Sequence, residues 1–167
     1  MLKGKNIILR SLKDSDLDFL EKIENNKENW KFGSEQKQYS KQELVDYISN
    51  SSVDITIAKQ YRFVIDFKST PIGFIDLFSY TSDSAGVGII ITKNQRNKGF
   101  AKEALALLYD YAFFVLELTY LHASVEKDNL ASTELFVSCG FQLQGEKNDV
   151  QYFIKLAEKN LLRLLNQ

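Results

Sequence analysis

The sequence predicts an α+β, mixed α/β architecture: one sheet of about seven strands with about four helices on its faces. Three observations carry this. Between Tyr61 and Ile91, three short β-branched and aromatic runs, "YRFVIDF", "IGFIDLFSY" and "AGVGIII", are separated by turn residues. Helical periodicity begins soon afterwards and lasts to about Leu116. Beyond it the chain reads as strand, helix, strand, strand. With 167 residues, 44% hydrophobic and 26% charged, a single domain over 1–167 with a sizeable core is expected.

The elements follow in order. "KNIILRSL" has strand character. "DSDLDFLEKI" places Leu17, Leu20 and Ile23 on one helical face, with Asp14 in position to cap it. Glu24 to Tyr39 is polar, holds the only tryptophan, Trp30, and reads as a long loop or broken helix. Ser40 with Glu43 three residues later is a capping-box pattern that opens a second helix. The three runs after Arg62 form an antiparallel meander. The last of them is apolar on both faces, through Val87, Ile89, Ile90 and Ile91, and should lie centrally. Ala101, Ala104, Leu105, Leu108, Ala112 and Leu116 then share a helical face. "LHASVE" is a strand, and "NLASTELFVSCGF" a helix stopped at Gly140, a favoured left-handed position. "FQLQGE" and "DVQYFIKL" close the sheet, and "AEKNLLRLLNQ" has the spacing of a short amphipathic helix.

Composition excludes several classes. A net charge of −1 argues against nucleic-acid binding driven by bulk charge. One cysteine, Cys139, excludes an internal disulfide framework and fits a reducing compartment. No stretch has the apolar length of a signal peptide or a membrane span, so a cytoplasmic protein without membrane contact is expected. No His, Cys or carboxylate cluster has ligand spacing, so no metal is expected.

The segment "NQRNKGFAKEALALLYDYAF" concentrates the chemistry. A helix N-terminus exposes unpaired N–H groups and the positive end of its dipole. A glycine at that point lets an anion approach the backbone. Arg96, Asn97, Lys98, Gly99, Phe100 and Ala101 supply successive amides and two cations after a buried strand, which reads as a diphosphate cradle. A polar loop with one glycine at a helix start explains the same residues. A P-loop is excluded because Phe100, not Lys, follows Gly99, and a dinucleotide fingerprint because "AGVGII" has two glycines inside a strand.

These residues resemble the Arg/Gln-x-x-Gly-x-Gly/Ala loop of the GNAT superfamily of N-acetyltransferases, and Val125, Asn129, Ser132, Gly140 and Phe141 fit a second motif of that family. "ILRSLKDSDLDFL" and "GFIDLFSY" are similar to the branch of ribosomal-protein N-terminal acetyltransferases and spermidine/diamine acetyltransferases. The resemblance implies a central, mostly antiparallel mixed sheet and direct attack of an amine on acetyl-CoA, with CoA as product. It implies that Ile89, Ile90 and Ile91 offer main-chain bonds to the pantetheine arm, that Arg96 to Ala101 hold the pyrophosphate, and that Asn129 meets the pantetheine. The acceptor it implies first is a polyamine-like small molecule. A protein N-terminus is the alternative, as is a silent CoA-binding module; a nucleotide-binding regulatory domain would use the same cradle. Dimers are common in the family, so a homodimer is among the assemblies implied.

One departure stands out. Many members have a tyrosine, proton donor to the leaving thiolate, where this chain has Phe136. Ser132, one turn earlier, or a water is the substitute expected. Asp76 is the candidate base for the acceptor amine, against a reading as a solvent-facing strand carboxylate. Glu28, Trp30, Glu35 and Tyr39 fall in the family's acceptor wall, where glutamates suit a cation, although interspersed lysines also make a plain solvated surface. His122 and Cys139 are expected to be packing residues.

Overall fold

The computed structural model describes residues 1–32 and 36–158. The sheet is built around the expected meander: β3 (Tyr61–Phe67), β4 (Thr70–Phe78) and β5 (Ser84–Ile91) pair antiparallel in sequence. Lys68 and Ser69, both left-handed, make the first turn, and Pro71 lies inside β4 rather than in the turn. On one side β2 (Ile8–Arg10) and a two-residue β1 (Leu2–Lys3) continue the sheet. On the other come β6 (Tyr120–Glu126), β8 (Val150–Leu156) and the edge strand β7 (Gln142–Lys147). Among the described residues eight strands therefore run β1-β2-β3-β4-β5-β6-β8-β7, and only β5 and β6 are parallel. The eighth strand, beyond the seven expected, is the short β1.

Among the described residues five α-helices accompany them: α1 (Leu17–Glu24), α2 (Lys41–Asn50), α3 (Ile55–Ala58), α4 (Phe100–Asp110) and α5 (Leu130–Ser138). The additional one, α3, is a single turn capped by Asp54. Asp14 does not cap α1. A 3-10 turn (Asp14–Asp16) precedes that helix, and Asp16 takes the chemistry, accepting from the Lys13 N–H at 2.8 Å and from Arg10 at 2.8 and 2.9 Å. A second 3-10 helix, Lys27–Phe32, occupies the polar loop and packs against β5. The expected tail helix falls mostly on 159–167, outside the described residues.

The sheet separates two cores. Leu20, Ile23, Leu44 and Ile48 from α1 and α2 cover Val64 and Phe74 on one face. Ala104, Leu105 and Leu108 from α4 and Phe136 from α5 cover Ile75, Leu77 and Leu121 on the other. Leu105 and Leu108 are fully buried, each stabilising the fold by about 1.5–3 kcal/mol. After Asp110 the helix widens into a π turn, Tyr111–Val115, closed by the Leu116 N–H on the Tyr111 carbonyl at 3.0 Å.

Candidate functional site

The site begins where two strands part. β5 meets β6 only at Ser84, Ala85 and Gly86, paired with Tyr120, Leu121 and His122. From Val87 to Ile91 the edge of β5 that faces away from β4 has no strand partner among the described residues. A cavity of about 460 Å³ lies along this open edge. Its wall is Ile89, Ile90 and Ile91, its floor Arg96, Asn97, Gly99, Phe100 and Ala101, and its far side Asn129 and Ser132 at the start of α5.

The loop between β5 and α4 is shaped to expose amides. Asn97 (φ +60°) and Gly99 (φ +83°) are both left-handed, with Lys98 between them, a pattern that turns successive N–H groups toward one concavity. No side chain caps α4, and its ladder starts with the Glu103 N–H on the Gly99 carbonyl at 3.1 Å. A methyl group placed on Gly99 would meet no atom within 4 Å, so this backbone borders open space. The Arg96 Nε donates to the Ile91 carbonyl at 2.9 Å and ties the loop to the end of β5. Lys98 does not line the cavity; its ammonium donates to Gln95 Oε1 at 3.0 Å. Residues fitted to bind a pyrophosphate and a thioester arm thus line one cavity, and the donor set suits CoA.

Opposite the loop, Asn129 is first of all the cap of α5, its Oδ1 accepting from the Ser132 N–H at 3.2 Å. That bond sets Ser132 against the cavity, half-buried. Phe136, one turn on, points elsewhere. It is 4% exposed and packs edge-on against Phe141 at 4.9 Å, inside the core. Four lining residues escaped the sequence reading: Gln95, Lys102, Ala131 and Leu135. Leu135 was recoverable, since it stands three residues from Ser132 and so on the same helix face.

Asp76 is not a cavity residue, and its carboxylate is already engaged. Arg62 donates to it from Nε and from Nη2, both at 2.8 Å, and from Nη1 to Glu24. Burial works against the charged guanidinium, but Asp76, Tyr47 and Glu24 outweigh it and raise the Arg62 pKa above its ordinary value. Both oxygens of this carboxylate are therefore taken up inside the fold by Arg62. The partner Arg62 was missed in the sequence, although a charge inside the apolar run "YRFVIDF" is the signal that marks it.

Of the residues expected at the acceptor wall, Glu28, Trp30 and Tyr39 do not line this cavity. The Trp30 indole donates to the Glu24 carbonyl at 2.8 Å, and Tyr39 exchanges two bonds with the Asn25 side chain, at 2.8 and 3.0 Å. Glu28 is exposed, and Glu35 lies outside the described residues. His122 packs edge-on against Phe78, while Cys139 ends α5 and its carbonyl accepts from Tyr109 and Lys155. Among the described residues no group of three or more His, Cys, Asp or Glu is placed to hold a metal, and no helix is long and apolar enough to cross a membrane.

Comparison with known proteins bears on the same features. The family described as the acetyltransferase (GNAT) domain matches residues 6–142. The chain is 30% identical over 166 residues to a spermidine N(1)-acetyltransferase of Vibrio cholerae, covering 96% of this chain and 92% of that protein. It is 27% identical to the spermidine N(1)-acetyltransferase of Escherichia coli K12, covering 98% and 87%. The crystal structure of the Vibrio cholerae spermidine N-acetyltransferase in complex with CoA and spermine superposes with a TM-score of 0.82 at 27% identity, over 95% of this chain and 99% of that one.

Proposed function

The chain belongs to the GNAT family of acetyltransferases and is an acetyl-CoA-dependent N-acetyltransferase, and from that premise we propose that its acceptor is a polyamine such as spermidine. The observation that carries the reading is the open edge of β5 running into the uncapped, glycine-bordered start of α4, with two carboxylates, Glu24 and Asp76, on the neighbouring strand and helix. The similarity to spermidine acetyltransferases over nearly the whole length supports the acceptor class.

Residues Arg96 to Ala101 hold the pyrophosphate through their backbone amides, and Ile89, Ile90 and Ile91 hold the thioester arm along the strand edge. Bound there, acetyl-CoA supplies a thioester carbonyl that a neutral amine attacks directly, the C–N bond forming as the C–S bond breaks. Asn129 keeps the start of α5 facing the arm, and the Ser132 hydroxyl or a water beside it passes a proton to the departing sulfur. A thiol pKa of about 8.5 makes this assistance modest, and an absent general acid costs about 10²–10⁴ in rate. The amine loses its proton to water rather than to Asp76, whose oxygens are held by Arg62. The same proposal includes a single acetyltransferase domain over 1–167, a site that needs no metal, and a cytoplasmic location.

The test is CoA release from acetyl-CoA at increasing spermidine, set against the background without amine. Release that saturates with spermidine is expected. Release only with a peptide N-terminus would move the acceptor to protein, and none with any amine would make the chain a CoA-binding module.

A further inference from the structure

Away from the cavity, four side chains converge on one guanidinium. Arg62 on β3 donates twice to Asp76 on β4, at 2.8 Å each, and once to Glu24 at the end of α1. Its guanidinium carbon lies 5.0 Å from the centre of the Phe74 ring and 5.5 Å from that of Tyr47. Two carboxylates and two aromatic faces around a single cation make the composition that binds alkylammonium groups. The cluster is not sealed: the side chains of Arg62, Glu24 and Asp76 keep 19%, 27% and 26% of their exposure.

Its position matters as much as its composition. Asp76 pairs across the sheet with Gly88, the residue immediately before Ile89 at the cavity wall. Gly88 puts no side chain between them, and a methyl group there would stand 3.9 Å from Asp76 Oδ2. The cluster therefore lies next to the strand segment that lines the cavity. A plain structural tie between α1 and the sheet needs one carboxylate for one arginine. Here there are two carboxylates and one guanidinium, a net charge of −1.

We propose that Arg62 is the chain's own cation seated in an ammonium cage beside the cavity-lining end of β5, and that it determines acceptor charge selectivity. With Arg62 in place, the Glu24–Arg62–Asp76 cluster keeps one unit of negative charge and draws one distal ammonium of the acceptor. With Arg62 removed, the cage takes an ammonium itself. This deepens the polyamine reading above and rests on it.

The experiment measures the ratio of kcat/KM for spermidine to kcat/KM for n-butylamine, a monoamine without a distal charge. In Arg62→Gln the ratio is expected to rise about tenfold or more, because the local charge goes from −1 to −2. In Glu24→Gln, which leaves the Arg62–Asp76 pair whole, it is expected to fall by about tenfold. Arg62→Lys keeps the charge, and its ratio should stay close to that of the parent. Ratios within twofold of the parent in both neutralised variants, each shown folded by circular dichroism, would overturn the proposal. Should Arg62→Gln fail to fold, Glu24→Gln decides alone. Should the parent acetylate no spermidine, the acceptor assignment fails separately, and the cage is read by melting temperature without acetyl-CoA. A spermidine-dependent rise in Arg62→Gln that the parent lacks supports the cage, and equal shifts refute it.

Discussion

At the start of α2 the Ser40 hydroxyl accepts from the Glu43 N–H at 3.2 Å, and the Glu43 carboxylate accepts from the Ser40 N–H at 2.8 Å. Asn129 does similar work at the start of α5. At the start of α4 stands Gly99, with no side chain and with open space where one would go. All three helices begin with the same orphan donors. Two satisfy some of them within the chain and gain stability. The third has no side-chain cap and borders the cavity, which is the arrangement the proposed cradle requires. The difference separates two helix starts that the chain caps itself from one that opens onto the cavity.

The largest test of this contrast is Gly99→Glu. A carboxylate in the cradle should weaken acetyl-CoA binding by about 100-fold or more, because like charges set together cost several kcal/mol. The left-handed backbone adds a folding cost of only about 1–2 kcal/mol, so the variant should remain folded. Calorimetric titration with acetyl-CoA reads the first effect, and affinity within threefold of the parent would remove the cradle assignment.

Next in size is Phe136→Tyr, which sharpens the contrast between the two ends of α5. Its start faces the cavity, but Phe136 is in the core against Phe141. A hydroxyl placed there should be buried without a partner and destabilise by about 1–3 kcal/mol in urea unfolding. Turnover should not rise. A gain in kcat would show that the ring reaches the reacting atoms.

Ser40→Ala attacks the capped start directly. It should cost about 1 kcal/mol of stability and leave acetyl-CoA affinity unchanged, since α2 lies away from the cavity. A tenfold loss of affinity would break the division between the two kinds of helix start.

The smallest effect is a dependence on pH. The Lys37 ammonium at 2.7 Å, followed by the Ser40 N–H, holds the Glu43 carboxyl down at about 2, against an ordinary 4.5. A depressed folded pKa contributes stability that is complete above the ordinary value and is lost as pH falls toward 2. The stability difference between the parent and Glu43→Gln should therefore be constant above about pH 5 and shrink steadily below it. Urea midpoints across that range would show it, and a difference independent of pH would remove this account of the cap.

The meander, the glycine loop and the amphipathic start of α4 were legible because each is written in local chemistry: turn residues, one glycine, a 3.6-residue period. Ser40 and Glu43 were legible for the same reason. Asp14 was not, because Asp16 two residues later meets a buried arginine, Arg10, from another element, and a distant partner decides which aspartate is used. The pairing of Asp76 with Arg62 was hidden more deeply. From the turn at Lys68 and Ser69, regular pairing would set Arg62 opposite Ile75. A register shift between Ile65 and Asp66 moves it opposite Asp76. No local pattern marks that shift.

The sequence by itself therefore determined the order of elements, the family resemblance and the glycine-bordered loop from Arg96 to Ala101, since these depend on neighbours along the chain. Only the tertiary structure decided that β5 parts from β6 after Gly86, that Phe136 turns into the core while Ser132 meets the cavity, and that Arg62 occupies both Glu24 and Asp76. Each of those depends on strand register or on contacts between residues far apart in the chain, and the free energy that selects them belongs to the packed sheet rather than to any segment of it.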